Sequence, residues 1–344
     1  MIRKLTLLLL LVLAAPALAQ PAPAGLEWQG DFSQGGLVQG RVQNPAAQAG
    51  LKLMLGQRRI PLGPKGEFVF GFGRDEPADA LLIIEQADGK RSEHKLAIAP
   101  RSYDIQRIDG LPPAQVTPPP AVLERIKREN AKIAEVRRRD TPSLDFLGGW
   151  IWPADGPVSG VYGSQRILNG EPRQPHFGLD IAAPAGSPVR ASTAGIVVMA
   201  EKDLYFTGGT VIIDHGQGIN GAYSHLASVT VKVGQHVKQG EVIGSVGATG
   251  RATGPHLDWR VNCSTCASIR SACCPSADEF FRQFSSDTPP DFEMNNAVMP
   301  NFDLICKGSS SQRRLNFLCS GNAKEYLADG SFIRCSNSPI APRK

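Results

Sequence analysis

From Gly148 to Asn262 glycine repeatedly interrupts the apolar runs, and that spacing limits what the region can become. Stretches such as "GVYGSQ", "PVRASTAGIVVMAEKD", "GGTVIIDHG" and "GAYSHLASVTVKVGQHVKQGEVIGSVGATG" are too broken for long helices. They read as strands joined by tight turns. Glycine reaches positive φ at little steric cost, so turns gather there. Alternation is clear in Thr230-Val231-Lys232-Val233, where successive side chains would face opposite sides of a sheet. Residues 148–262 are therefore expected to form a β domain.

A second, smaller β domain is expected over residues 20–110. The runs "GLVQGRV", "LKLML", "EFVFGF", "ALLIIEQ" and "HKLAIA" are separated by Gly, Pro and Asp turns, the pattern of a small antiparallel sandwich. His94 has no partner nearby in sequence and reads as a solvated strand residue. Between the two domains, residues 111–147 form a linker. "LPPAQVTPPP" is expected to be a stiff extended spacer. Val122, Ile126, Ile133 and Val136 then recur at near-helical spacing among many charges, which predicts an amphipathic helix over 121–140. That helix is either a connector or a cover over the groove of the following domain. The fold class is thus mostly β, with a linker helix between two β domains.

Residues 1–19 carry Arg3 and Lys4, an apolar run from Leu5 to Ala15, and the small-x-small site Ala17-Leu18-Ala19. This is the pattern of a secretory signal peptide, too short to span a bilayer and without a stop-transfer segment after it. The mature protein is expected to be periplasmic or secreted, with no membrane span after signal cleavage. The remainder is long enough for two domains. The net charge of +5 suits an anionic envelope polymer but identifies no partner. No clustered basic stripe argues for nucleic acid, and none is expected as a partner.

Five of the six histidines lie between positions 176 and 256. "HFGLD" supplies His176 and Asp180, "YSHL" supplies His225, and "GPHLDW" supplies His256 and Asp258. A His and a carboxylate four apart can converge on one metal across a turn. His-x-Asp places both side chains on one face of a strand. Alone, each pair could equally be a surface pair. Together they predict a metal site or a former one. Three protein ligands with one open position is the layout of catalytic zinc, and a further histidine could move protons. His215 and His236 read as structural or surface residues.

The stretch Trp152 to Asn262 resembles the lysostaphin-type (LytM-type) zinc metallopeptidases that cut peptidoglycan peptides. The resemblance rests on "GVYGSQR", "QPHFGLDIAAPAGSPVRASTAGIVV", "VIIDHGQGINGAYSHL" and "VKVGQHVKQGEVIGSVGATGRATGPHL". The preceding β domain resembles the N-terminal module of some secreted Gram-negative members. The resemblance implies a lysostaphin-like antiparallel β domain with a metal-binding groove and Zn2+ as cofactor. It makes His176 and Asp180 the first two metal ligands. It makes His225 and His256 the catalytic pair flanking the reacting water and the scissile carbonyl. Peptidoglycan is the implied substrate, and cell-wall hydrolases or divisome proteins are the candidate partners.

The family pattern ends His-x-His, its second His being the third ligand; this chain has Asp258 there. An Asp Oδ lies as many bonds from the backbone as a His Nδ1, so it can reach the same metal. Carboxylate oxygens do ligate zinc. Two carboxylates and one imidazole would formally neutralise the ion, which should weaken its pull on water and let harder metals compete. The main expectation is a secreted zinc metalloendopeptidase with Asp258 as third ligand. The alternatives are a catalytically degenerate wall-binding or hydrolase-activating module on the same fold, and a metallopeptidase acting on other proteins.

All seven cysteines fall between Cys263 and Cys335. The segment 263–344 is either a disulfide-bearing tail with one thiol left over, or the product of a reading-frame slip and non-native in origin. Codons can be chosen for the segment from Cys263 to Pro275 such that one inserted base yields Trp-Phe-Asp-Val-Arg-Leu-Asp-Pro. That would continue "WRVN" as a closing strand, and the slip is the favoured explanation. Despite their spacing, Cys263 and Cys266 are then not read as a zinc site.

Overall fold

A computed structural model describes residues 20–264. The leader 1–19 and the residues from 265 onward lie outside the described residues. Cys266 and nearly all of the segment affected by the reading-frame question go with them.

Seven short strands open the described residues: β1 (Leu26–Gly30), β2 (Leu37–Val42), β3 (Lys52–Leu55), β4 (Arg58–Ile60), β5 (Glu67–Gly71), β6 (Asp79–Glu85) and β7 (Arg91–Ala97). They form two sheets, ordered β1-β2-β5 and β4-β3-β6-β7. Val38, Phe68 and Phe70 from the first share one core with Leu53, Leu55, Leu82 and Ile84 from the second. This is the sandwich that the alternating runs predicted. The opposite face of the first sheet is apolar too. Leu37 and Val69 pack into the core of the following β domain with Phe146 and Trp150.

The end of the 20–110 segment and the linker both depart from expectation. Strand β8 (Ile105–Ile108) pairs in parallel with β10 (Gln165–Leu168), Ile105 lying opposite Gln165. The Pro-rich stretch is not wholly extended, because Pro113–Val116 forms a helical turn, α1. Proline presets φ at the start of a helix and its missing N–H costs nothing there. The Thr117 N–H closes the turn on the Pro113 carbonyl at 2.8 Å. Helix α2 then runs from Pro120 to Arg137. Its Val136 is buried against Val198, Met199, Leu204, Ile212 and Ala222, with Ile133 beside it.

The larger β domain contains β9 (Val158–Gly160), β10, β11 (Glu171–Pro172), β12 (Leu179–Ala182), β13 (Pro188–Arg190), β14 (Gly195–Leu204), β15 (Gly208–Gly216), β16 (Ile219–Val229), β17 (His236–Val237), β18 (Val242–Val246) and β19 (His256–Cys263). Its main sheet runs β17-β14-β15-β16-β19-β12-β9. Alternation along β19 sends Leu257, Trp259 and Val261 into the core with Val197, Ile213 and Tyr223. His256, Asp258 and Arg260 therefore share the other face. Ala222 is the cross-strand partner of Arg260, so α2 packs on that same face, beside the candidate site. Among the described residues no helix is long and apolar enough to cross a membrane.

Candidate metal centre and flanking histidines

Strands β12 and β19 set the centre. In their antiparallel register Asp180 stands opposite Asp258, and Ala182 opposite His256. His176 lies just before β12, where its backbone N–H donates to the Ser164 carbonyl at 2.8 Å and its carbonyl accepts from Gly163 N–H at 2.7 Å. One ligand atom from each of His176, Asp180 and Asp258 falls within 4.8 Å of the others, and all three residues are buried.

The polar bookkeeping of this cluster is incomplete. Neither ring nitrogen of His176 makes a hydrogen bond, nor does Asp180 Oδ1, although all three atoms are buried. His176 Nε2 is 3.2 Å from Asp180 Oδ1, close enough for an ion pair but not aligned as a hydrogen bond. Buried polar atoms left unpartnered cost about 1–3 kcal/mol each. A cation between imidazole and carboxylates would satisfy them, so this donor set fits a metal of zinc's preferences.

Two arginines hold the carboxylates. Arg166 Nη2 donates to Asp180 Oδ2 at 3.1 Å. Arg260 forks Asp258, Nε to Oδ1 at 2.8 Å and Nη2 to Oδ2 at 2.5 Å. Burial works to raise the Asp258 carboxyl. The charge and hydrogen bonds of Arg260, with His176 and His225 nearby, hold it instead well below the usual carboxylate range. Two glycines make room for these side chains. A Cβ at Gly160 would meet Asp180 Oδ2 at 2.4 Å, and one at Gly178 would meet Asp258 Oδ1 at 2.4 Å.

His225 sits where the β15–β16 register shifts, at a φ of 65° that non-glycine residues seldom adopt. Such backbone outliers gather at functional sites. Its Nδ1 lies 2.8 Å from the Thr249 carbonyl, and His256 Nδ1 lies 2.9 Å from the Gly254 carbonyl. A carbonyl only accepts, so each Nδ1 carries a proton. The two rings are 4.7 Å apart between centroids. Burial first, with His256 adding to it, pushes His225 down to about 4 against the opposing pull of Asp258. His225 is therefore a neutral imidazole at neutral pH, able to accept a proton.

Asp180, His225 and His256 line a groove of about 240 Å³, together with Arg166 and Arg251. Burial, reinforced by Arg166, Arg260 and Arg173, pushes the Arg251 guanidinium down to about 10. The same groove is lined by Gln106 and Ile108, from the end of the stretch expected to belong to the smaller β domain, and by Leu111 at the start of the linker. The sequence left α2 between connector and groove cover. The helix lies beside the centre, while the segment leading to it forms part of the groove itself.

The structure brings all five sequence-predicted residues, His176, Asp180, His225, His256 and Asp258, into this one region. The other histidines lie apart. His215 is fully buried, its Nδ1 2.6 Å from the Ala194 carbonyl and its ring edge-on to Trp150. His236 is exposed, and half-buried His94 contacts Ser92 Oγ at 3.1 Å. Sequence reasoning missed Arg166, Arg260 and Gly178. Arg260 was within reach, because two residues along a strand from Asp258 means the same face.

The sequence from 174 to 268 matches Peptidase family M23. The peptidoglycan DD-endopeptidase ShyA of Vibrio cholerae is 46% identical over 87 residues, which is 25% of this chain and 20% of that one. The cell division protein DipM of Caulobacter vibrioides is 34% identical over 146 residues, 42% of this chain and 22% of that one. The chain thus spans about a fifth of the length of these curated relatives. Among solved structures, a putative peptidase M23 from Pseudomonas aeruginosa superposes with a TM-score of 0.52 at 29% identity, over 71% of this chain and 96% of that one.

Proposed function

Since this chain carries a peptidase family M23 domain, we propose that it is a zinc metalloendopeptidase hydrolysing the peptide cross-links of peptidoglycan. The observation that carries the reading is the cluster of His176, Asp180 and Asp258, with the His176 ring nitrogens and Asp180 Oδ1 buried and without hydrogen bonds, beside two histidines each held through Nδ1 by a backbone carbonyl. His176, Asp180 and Asp258 would hold the ion. Zinc bound there supplies Lewis acidity for attack of water on a peptide carbonyl. His225, neutral and held by the Thr249 carbonyl, presents Nε2 as the proton acceptor. His256, held by the Gly254 carbonyl, presents the second Nε2, which can carry a proton towards the leaving amine. Arg251 and Arg166 give the groove positive charge suited to a peptide bearing carboxylates. The name of ShyA, a peptidoglycan DD-endopeptidase, supports a cell-wall substrate, and the leader pattern of residues 1–19 supports a periplasmic or secreted location.

One observation favours a second reading, a catalytically degenerate binding or activating module. Arg260 occupies both oxygens of Asp258. The two readings separate in one assay on the full chain: release of soluble peptides from purified Gram-negative peptidoglycan, with and without a chelator, beside His225→Ala. Chelator-sensitive release that the substitution abolishes is the expected result. Binding without release, by a folded protein loaded with zinc, sinks the enzyme reading.

A further inference from the structure

The departure from His-x-His has a partner two residues away. Asp258 and Arg260 point to the same face of β19 and meet in a two-pronged contact, with side-chain exposures of 1% and 21%. The space at Gly178 serves both residues, since a Cβ there would fall 2.4 Å from Asp258 Oδ1 and 2.8 Å from Arg260 Cγ.

We propose that Asp258 and Arg260 act as one ligand unit of zero net charge, standing in for the neutral histidine that the family pattern places at 258. This rests on reading His176, Asp180 and Asp258 as metal ligands. A carboxylate forked by a guanidinium still has lone pairs on its outer edges, so Asp258 can serve arginine and metal together. The guanidinium, always protonated, returns the charge by which an aspartate differs from an imidazole. Arg260 is therefore a charge-balancing residue for the metal rather than a catalytic one.

The pairing has a signature that a merely structural arginine lacks. Restoring the family's histidine by Asp258→His leaves a guanidinium beside the ion without its carboxylate, and zinc affinity falls. Combining Asp258→His with Arg260→Gln removes that cation and restores affinity. Arg260→Gln alone leaves the ligand set more negative and tightens zinc binding. The measurements are zinc dissociation constants of the full chain by competition with a chromogenic chelator, and melting midpoints with and without zinc, for the parent and the three variants.

Asp258→His is expected to bind zinc about tenfold or more weakly than the double variant, and Arg260→Gln about tenfold more tightly than the parent because a cation beside the ion is gone, with a larger zinc-induced rise in melting midpoint. Asp258→His binding as tightly as the double variant overturns the pairing. So does Arg260→Gln with unchanged or weakened affinity, and that comparison decides the matter should Asp258→His not fold. A parent chain that takes up no zinc overturns the ligand assignment itself and this inference with it. A zinc-binding parent with additive substitutions overturns the pairing alone.

Discussion

Asp180 and Asp258 are directly opposed across the β12–β19 ladder, two carboxylates on one sheet face with an arginine on each. Like charges directly opposite one another destabilise a strand pair. Without metal the arginines carry that burden. Asp258→Ala is expected to lower the unfolding free energy of the metal-free chain by about 2–3 kcal/mol, somewhat less than breaking a fully enclosed pair because Arg260 keeps some exposure. Urea titration of the chelator-treated protein measures it, and a loss below about 0.5 kcal/mol would contradict the argument.

His215 gives the fold an acid-sensitive point away from the metal centre. Burial pushes it down to about 4 from 6.5. Between those values the unfolded chain binds more protons than the folded one, so stability is full above pH 6.5 and falls as pH drops towards 4. The loss across that window should be about 3 kcal/mol from this residue. Replacing it by glutamine, which keeps a donor for the Ala194 carbonyl, should flatten the slope of unfolding free energy against pH. An unchanged slope would assign the acid sensitivity to other groups.

Gly178 is expected to tolerate no side chain without cost to the centre. Alanine there would place Cβ 2.4 Å from Asp258 Oδ1 and 3.1 Å from the Trp259 carbonyl oxygen. Gly178→Ala should destabilise the chain by about 1–3 kcal/mol through overpacking. It should also weaken zinc binding about tenfold by shifting Asp258. Isothermal titration with zinc on the folded variant checks the second part, and parent-like affinity would count against it.

Asn169 ties the linker to the groove. Its Nδ2 donates to the Leu111 carbonyl at 2.7 Å and its Oδ1 accepts from the Leu111 N–H at 3.1 Å, while its own backbone has a φ of 49°. Asn169→Gly keeps that backbone conformation and removes both bonds. Limited proteolysis should then cut within 111–119 faster than in the parent, with little change in global stability. Equal cutting rates would mean that neighbouring contacts, such as Tyr205 Oη to the Ala114 carbonyl at 2.7 Å, hold the segment unaided.

Much of this was legible because its causes are local. Alternation and turn residues wrote the sandwich and the larger sheet, and apolar spacing wrote α2. Four of the five His and Asp positions stood out because "HFGLD" and "HLD" keep their chemistry within a few residues, and His225 joined them through the family resemblance. Part of what escaped depends on pairings across long stretches of chain. Arg166 reaches Asp180 from β10, a strand held by β8 some sixty residues earlier. Nothing in "QRIL" records that neighbour. The turn at Pro113–Val116 was masked by composition, because prolines that favour extended chain also favour the first turn of a helix. The positive φ of His225 has no signature in "YSHL", since the bulge that sets it is a property of two strands.

The parallel pairing of β8 with β10 also bears on where such a protein can be divided. A cut after the sandwich but downstream of Ile108 would strip β10 of one neighbour and bare a row of backbone donors and acceptors beside the groove. Such an edge invites pairing with foreign strands. A shuffled or truncated descendant that preserves the groove must therefore inherit residues 105–108 with it, so the boundary seen by recombination lies upstream of the boundary suggested by composition.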